Sequence, residues 1–194
     1  QATLRWAGAF ASLVALLLGC GVGSGGTGSF ASGPITGFGS IVVVGVHFDE
    51  SAARIETDDG LPRYAADLQL GMVVEVYADE AVGAQSRASQ VRLVSALIGR
   101  VDAVDAPATR LTVNGLVVRT HAATVVDAGF GNGLVGMTPG DVGEIYGAID
   151  GASGEVSASR IERSNGATGF KFRGEVSHLN RAARTFSIGT QSFD

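Results

Sequence analysis

The sequence holds one cysteine, one tryptophan, four prolines and three histidines in 194 residues, and only 17% of it is charged. A typical domain is about 25% charged. A single cysteine cannot close an internal disulfide, and it excludes a zinc centre built on several thiolates. His47, His121 and His178 fall at non-equivalent points of the chain. Zinc needs three or four converging ligands, so no metal site is expected from them. The formal net charge is −5. That balance argues against a general nucleic-acid binder, which carries a basic face.

Glycine is what the chain has in excess, at 29 residues, and 45% of the residues are hydrophobic. Many glycines with few charged runs point to tight turns between short strands, with enough apolar material for a core.

Residues 1–19 carry one charge, Arg5, followed by an apolar run from Trp6 to Leu18. This run is shorter than the roughly 20 residues of a spanning helix. It fits the core of a signal peptide, about 7–15 residues. The next tetrapeptide, Leu17-Leu18-Gly19-Cys20, resembles the bacterial lipobox. By that resemblance cleavage falls before Cys20, whose thiol and new amino terminus are acylated. The mature chain would then have no free thiol and no Trp6. Because residue 1 is Gln, the natural start is expected to be missing or altered.

Cys20 is followed by Gly21, Gly23 and Gly26, which spell G-x-G-x-x-G. A dinucleotide loop needs a strand before it, a helix after it and a later acidic residue. None is evident. Residues 20–33 read instead as the lipidated cysteine and a flexible Gly/Ser tether.

Beyond the tether the chain repeats. "DLQLGMVVEVYADE" (67–80) matches "MTPGDVGEIYGAID" (137–150), aligning Gly71 with Gly140, Glu75 with Glu144 and Tyr77 with Tyr146. "IVVVGVHF" (41–48) matches "LTVNGLVV" (111–118), and "ASQVRL" (88–93) matches "ASRIER" (158–163). The boundaries are a first unit at 34–95, a second at 97–165 and an incomplete third at 170–194. The third unit, with little beyond two strands, cannot close alone, and the natural protein is expected to continue past Asp194.

Each unit reads as β structure. Leu97–Val104 alternates, and "TRLTVNGLVVRT" is a hairpin whose Asn114-Gly115 suits a type I′ turn. Val44-Gly45 marks the equivalent turn less well, since a β-branched residue resists positive φ. Thr124–Thr138 is irregular, and two more strands follow around the "DGASG" turn. Three strands, a connector and two strands give the order of a small closed OB-like barrel. The fold class is therefore all-β, with tandem five-stranded barrels. The alternative is a β-sandwich built from both units.

"GPITGFGSIVVVGVHFD", "DLQLGMVVEVYADE", "ASQVRL" and "GRVDAVDAPATRLTVNG" together resemble the bacterial domain of unknown function 5666 family over roughly residues 33–190. The resemblance implies tandem modules, often behind signal or lipoprotein leaders. It implies no catalytic residue.

The remaining constellations are weak. Asp58-Asp59-Gly60 lacks the ligand spacing of a calcium loop and reads as a turn, as does Asp150 with Glu155. Asp141 and Glu144 recur only in part, because Met72 stands where Asp141 does. No G-x-S-x-G elbow surrounds a serine. Arg87, Arg92, Arg100, Arg110 and Arg119 form a basic-leaning stretch on outer faces. Tyr77 and Tyr146 recur in register and are expected to pack at a barrel end or module contact; exposed on such a barrel, they could instead stack bases or sugars.

The sequence thus leads to a non-enzymatic, lipid-anchored protein of the bacterial envelope, facing the periplasm or the exterior. It is held to the membrane through Cys20 and needs no cofactor. Its partner would be a protein or polysaccharide of the envelope. The alternative is a binding protein for an oligosaccharide or nucleic acid, which requires Tyr77 and Tyr146 both exposed with arginines beside them.

Overall fold

A computed structural model describes residues 28–82, 85–164 and 169–194. The leader, Cys20 and the G-x-G-x-x-G stretch lie outside the described residues. The fold is built from strands and short 3₁₀ turns.

In the first unit β1 (Ser29–Gly37), β2 (Ile41–Val43) and β3 (Val46–Asp49) form an antiparallel meander. A small hairpin follows, β4 (Arg54–Thr57) and β5 (Pro62–Arg63), then a long one, β6 (Val73–Val82) and β7 (Gln85–Leu93). Two pairings close the barrel. β1 runs antiparallel to β6, with Phe30 opposite Tyr77 and Gly33 opposite Val74. β3 runs parallel to β7, with Phe48 opposite Ser86. This is the OB order, and closure leaves no sheet edge among the five strands.

The second unit repeats it. β8 (Leu97–Asp105), β9 (Arg110–Val113) and β10 (Leu116–Arg119) form the meander. The connector carries β11 (Val125–Val126), and β12 (Val142–Ile149) and β13 (Val156–Arg163) form the hairpin. β8 pairs antiparallel with β12, and β10 parallel with β13 through Val118 and Val156. In each unit the connector lays a strand parallel to the last barrel strand: Ile55 lies opposite Val91, and Val126 opposite Ile161.

The period of about seventy residues is the period of the cores. Ile41, Val43, Phe48, Ala88 and Val91 fill the first barrel; Leu111, Val113, Val118, Ala158 and Ile161 fill the second. Inward residues alternate with outward ones, as the two-residue period of a strand requires.

After the second barrel, β14 (Lys171–Phe172) pairs with the start of β8. β15 (Val176–Asn180), β16 (Thr185–Ile188) and β17 (Gln191–Phe193) form a three-stranded meander. Residues 170–194 thus hold four strands, two more than the two expected for the third unit.

The tether expected over 20–33 is corrected at its end. Ser29–Gly33 belong to β1 and pair with β6 from Ala78 to Val74. The first unit therefore opens at Ser29, not at residue 34. Gly and Ser need no side-chain packing to be strand here, because the hydrogen-bonding partner is supplied by β6.

The two barrels do not meet end to end. The outer face of β12 and β13 packs against the end of the first barrel formed by the 65–72 connector and the last residues of β7. The opposite end of the first barrel holds the start of β1, the β2–β3 turn and the β6–β7 hairpin.

Candidate interaction site

Tyr146 points away from its own barrel and is only 3% exposed, because it joins the apolar cluster of the first barrel with Leu68, Met72 and Leu93. Its hydroxyl donates to Glu144 Oε1 at 3.1 Å. Burial, reinforced by the charge of Glu144, pushes the phenol well above its ordinary range.

Arg160 on β13 makes the polar half of the same contact. Its Nε donates to Glu162 Oε1 at 2.6 Å and its Nη1 to the Leu70 carbonyl at 3.0 Å. Its Nη2 donates to Gln69 Oε1. Ser159 Oγ donates to the Gly71 carbonyl at 2.6 Å. A planar guanidinium suits this task, since its fixed fork reaches several acceptors at once. Burial raises the pKa of Glu162, and the Arg160 hydrogen bond only partly offsets that.

Gly71 is required twice over. Its φ is +82°, and a Cβ there would lie 2.6 Å from the Ser159 carbonyl oxygen. The repeated glycine is thus a docking residue in the first barrel.

A second clasp is ionic. Lys171 Nζ lies 2.5 Å from Asp58 Oδ1 and 2.9 Å from Asp59 Oδ2, and Arg173 reaches Asp58 Oδ2 at 2.6 Å. Burial alone would lower the lysine pKa; the bonds to Asp58 and Asp59 outweigh it and raise it. The Asp58-Asp59 turn expected from sequence is present, and its carboxylates bind the segment that leaves the second barrel.

Two cavities of about 310 Å³ each flank the junction. One is apolar and lined by Ile35, Leu70, Gly71, His121 and Val125. The other is polar and lined by Arg63, Asp67, Gln69, Tyr146 and Glu162. Its acidic and amide groups are engaged within the fold: Asp67 accepts from the Tyr64 amide, and Gln69 and Glu162 accept from Arg160.

The remaining sequence candidates are dispersed. Tyr77 is 37% exposed and packs against Phe30 with ring centroids 5.1 Å apart. Tyr146 is buried at the junction, packed at a module contact, so the two exposed rings that the alternative binding reading requires are not both present. Three of the five arginines are paired, Arg92 with Glu75, Arg110 with Asp105 and Arg119 with Glu155. Arg100 donates to the Gly140 carbonyl. These pairs divide the basic-leaning stretch between both barrels and neutralise most of it.

His47, His121 and His178 are exposed. Among the described residues, no three His, Cys, Asp or Glu side chains come together. Asp150 caps its own turn, accepting from the Ser153 amide at 2.7 Å, which holds its pKa down. Asp141 likewise accepts from the Thr138 amide, and its pKa is lowered.

Sequence reasoning did not single out Arg160, Ser159 or Lys171. Arg160 stands where the first unit has Gln90. A charge gained at an otherwise matched position was the available signal.

Residues 98–162 match the family described as Domain of unknown function (DUF5666). The second barrel is the part of the chain that is similar to this family. The match begins one residue inside β8 and ends one residue before the end of β13. It therefore takes in the whole OB order of a DUF5666 module, including Tyr146, Ser159 and Arg160. The first barrel repeats the same strand order about seventy residues upstream, outside the matched residues. No curated protein and no solved structure matches the chain.

Proposed function

We propose that this chain is a lipid-anchored, non-enzymatic protein of the bacterial envelope, in which docked barrels form an interaction or structural module at a membrane surface. One observation carries the anchoring: Arg5, the apolar run Trp6–Leu18, Gly19 and Cys20 stand in lipobox order, nine residues before the first barrel strand. Several acyl chains anchor stably where one is marginal. Support for a non-enzymatic role comes from the junction. Its arginine, carboxylates and tyrosine satisfy one another, so they hold barrels together rather than wait for a substrate. The partner is a protein or polysaccharide of the envelope.

Replacing Cys20 with Ala and fractionating cells tests the anchor. The expected result is loss of the acyl mass and release from the membrane fraction. Equal membrane association of both forms, neither carrying lipid, overturns the reading.

A further inference from the structure

The structure exposes twelve large hydrophobic side chains among the described residues; eight are in the first barrel and one, Val135, is in the second. Four of the eight sit at the end where β1 begins. Phe30 is 59% exposed, Val44 69%, Val46 42% and Tyr77 37%. Phe30 and Tyr77 pack on each other across the β1–β6 pairing, and Val44 and Val46 flank the β2–β3 turn at the same end of the barrel. The Val44 side chain also closes over Gly33.

The equivalent end of the second barrel is covered. There the 114–115 turn and the Asp150–Gly154 turn meet the third-unit meander. Leu116 is 3% exposed, and its Cδ2 lies within van der Waals reach of a Cβ built on Gly189. Gly154 and Gly189 approach so closely that a Cβ on Gly154 would lie 2.6 Å from Gly189 Cα. A barrel of this type therefore has an end that is buried when another element is at hand.

Val44 adds a second argument. Its φ is +51°, in the left-handed region, where a β-branched residue is an outlier. It is strained and largely exposed together, although Asn would adopt the same turn with less strain. Such local breaches of turn chemistry mark functional positions.

We infer that this rim of the first barrel, Phe30, Val44, Val46 and Tyr77, rests in the headgroup–acyl boundary of a phospholipid bilayer. The inference builds on the proposed anchor. A connection of nine residues from Cys20 to Ser29 spans at most roughly 30 Å, so acylation at Cys20 holds this end, and not the second barrel, near the surface. Aromatic side chains favour that boundary. The four rim side chains are uncharged and the chain is acidic, so the contact is apolar and needs no anionic lipid.

The test uses the full chain in a Trp6→Phe background, tethered through its one cysteine to phosphatidylcholine vesicles with brominated acyl chains. The tether is the native acyl group or, if mass spectrometry finds none, a maleimide phospholipid. Tryptophan is placed by Phe30→Trp or, as a control, by Val135→Trp. The expected result is severalfold stronger quenching at position 30. Adding Val44→Lys and Val46→Lys should reduce it to the control level. Equal quenching at the two positions, or quenching unchanged by the two lysines, overturns the inference, and points to a protein partner or no partner for the rim. Absence of native acylation overturns the anchor alone, since the chemical tether still tests the rim.

Discussion

At the turn between its second and third strands the first barrel has Val44-Gly45, and the second barrel has Asn114-Gly115. The backbones are nearly the same, with φ of 51° and 76° in one and 45° and 77° in the other. Asn tolerates that conformation, and its Oδ1 accepts from the Arg100 amide at 2.9 Å, tying the turn to β8. Val tolerates it poorly; one of its methyl groups lies against Gly33, and most of the side chain is exposed. The same fold has been given one turn suited to stability under a cover and one suited to contact with something outside the chain.

The faces of the two hairpins differ in the same way. Tyr146, Ser159 and Arg160 grip the first barrel, whereas their counterparts Tyr77, Ser89 and Gln90 grip no other barrel. Ser89 donates to the Tyr77 carbonyl and Gln90 to Glu56, within their own barrel. One exchange, Gln to Arg, turns an internally satisfied strand into a docking strand.

The largest effect is expected from breaking that difference. Arg160→Ala leaves Glu162 and the carbonyl of Leu70 without their donor at a buried site. Removing one partner of such a pair costs about 3–5 kcal/mol. Chemical denaturation should show a lower midpoint, with the two barrels unfolding in separate steps. Arg160→Lys keeps the charge without the fork and should recover only part of the loss. An unchanged midpoint in Arg160→Ala would remove the junction as a source of stability.

A smaller effect follows from exchanging the turns. Val44→Asn relieves left-handed strain and should stabilise the first barrel by about 1 kcal/mol. Asn114→Val imposes that strain and removes a hydrogen bond, and should cost about 2 kcal/mol. Thermal unfolding checks both signs. If both substitutions destabilise, Val44 packs usefully and the contrast between the turns fails.

The smallest effect concerns pH. Glu162 has its pKa raised by burial above the ordinary 4.5. The folded state therefore holds that proton more tightly than the unfolded one. The stability this contributes is fully present below pH 4.5 and is lost as pH rises through the folded value. Glu162→Gln cannot titrate, so the stability of the native chain relative to this variant should fall between pH 4.5 and neutrality. A constant difference across that range would mean that Glu162 holds its proton no more tightly in the folded state than in the unfolded one.

Much of the barrel was legible because its period is carried by buried side chains. Ile41, Val43 and Phe48 against Leu111, Val113 and Val118 set both the repeat and the strand order. The start of β1 was not legible. Ser29–Gly33 shows no strong alternation, and its pairing is supplied by residues about forty-five positions later. Tyr146 was legible in part: a module contact was the expected place for it, but which surface of the first barrel covers it was not. The Lys171–Asp58 clasp joins charges 113 residues apart, a separation at which no local pattern reports a partner.

The contrast between the two ends is tested most directly by amide hydrogen exchange on the acylated full chain, in solution and on phosphatidylcholine vesicles. The account predicts about tenfold slower exchange on vesicles around Phe30 and from Val44 to His47, with Asn114 to Val118 unchanged. Equal exchange at Val44 to His47 with and without vesicles would contradict it.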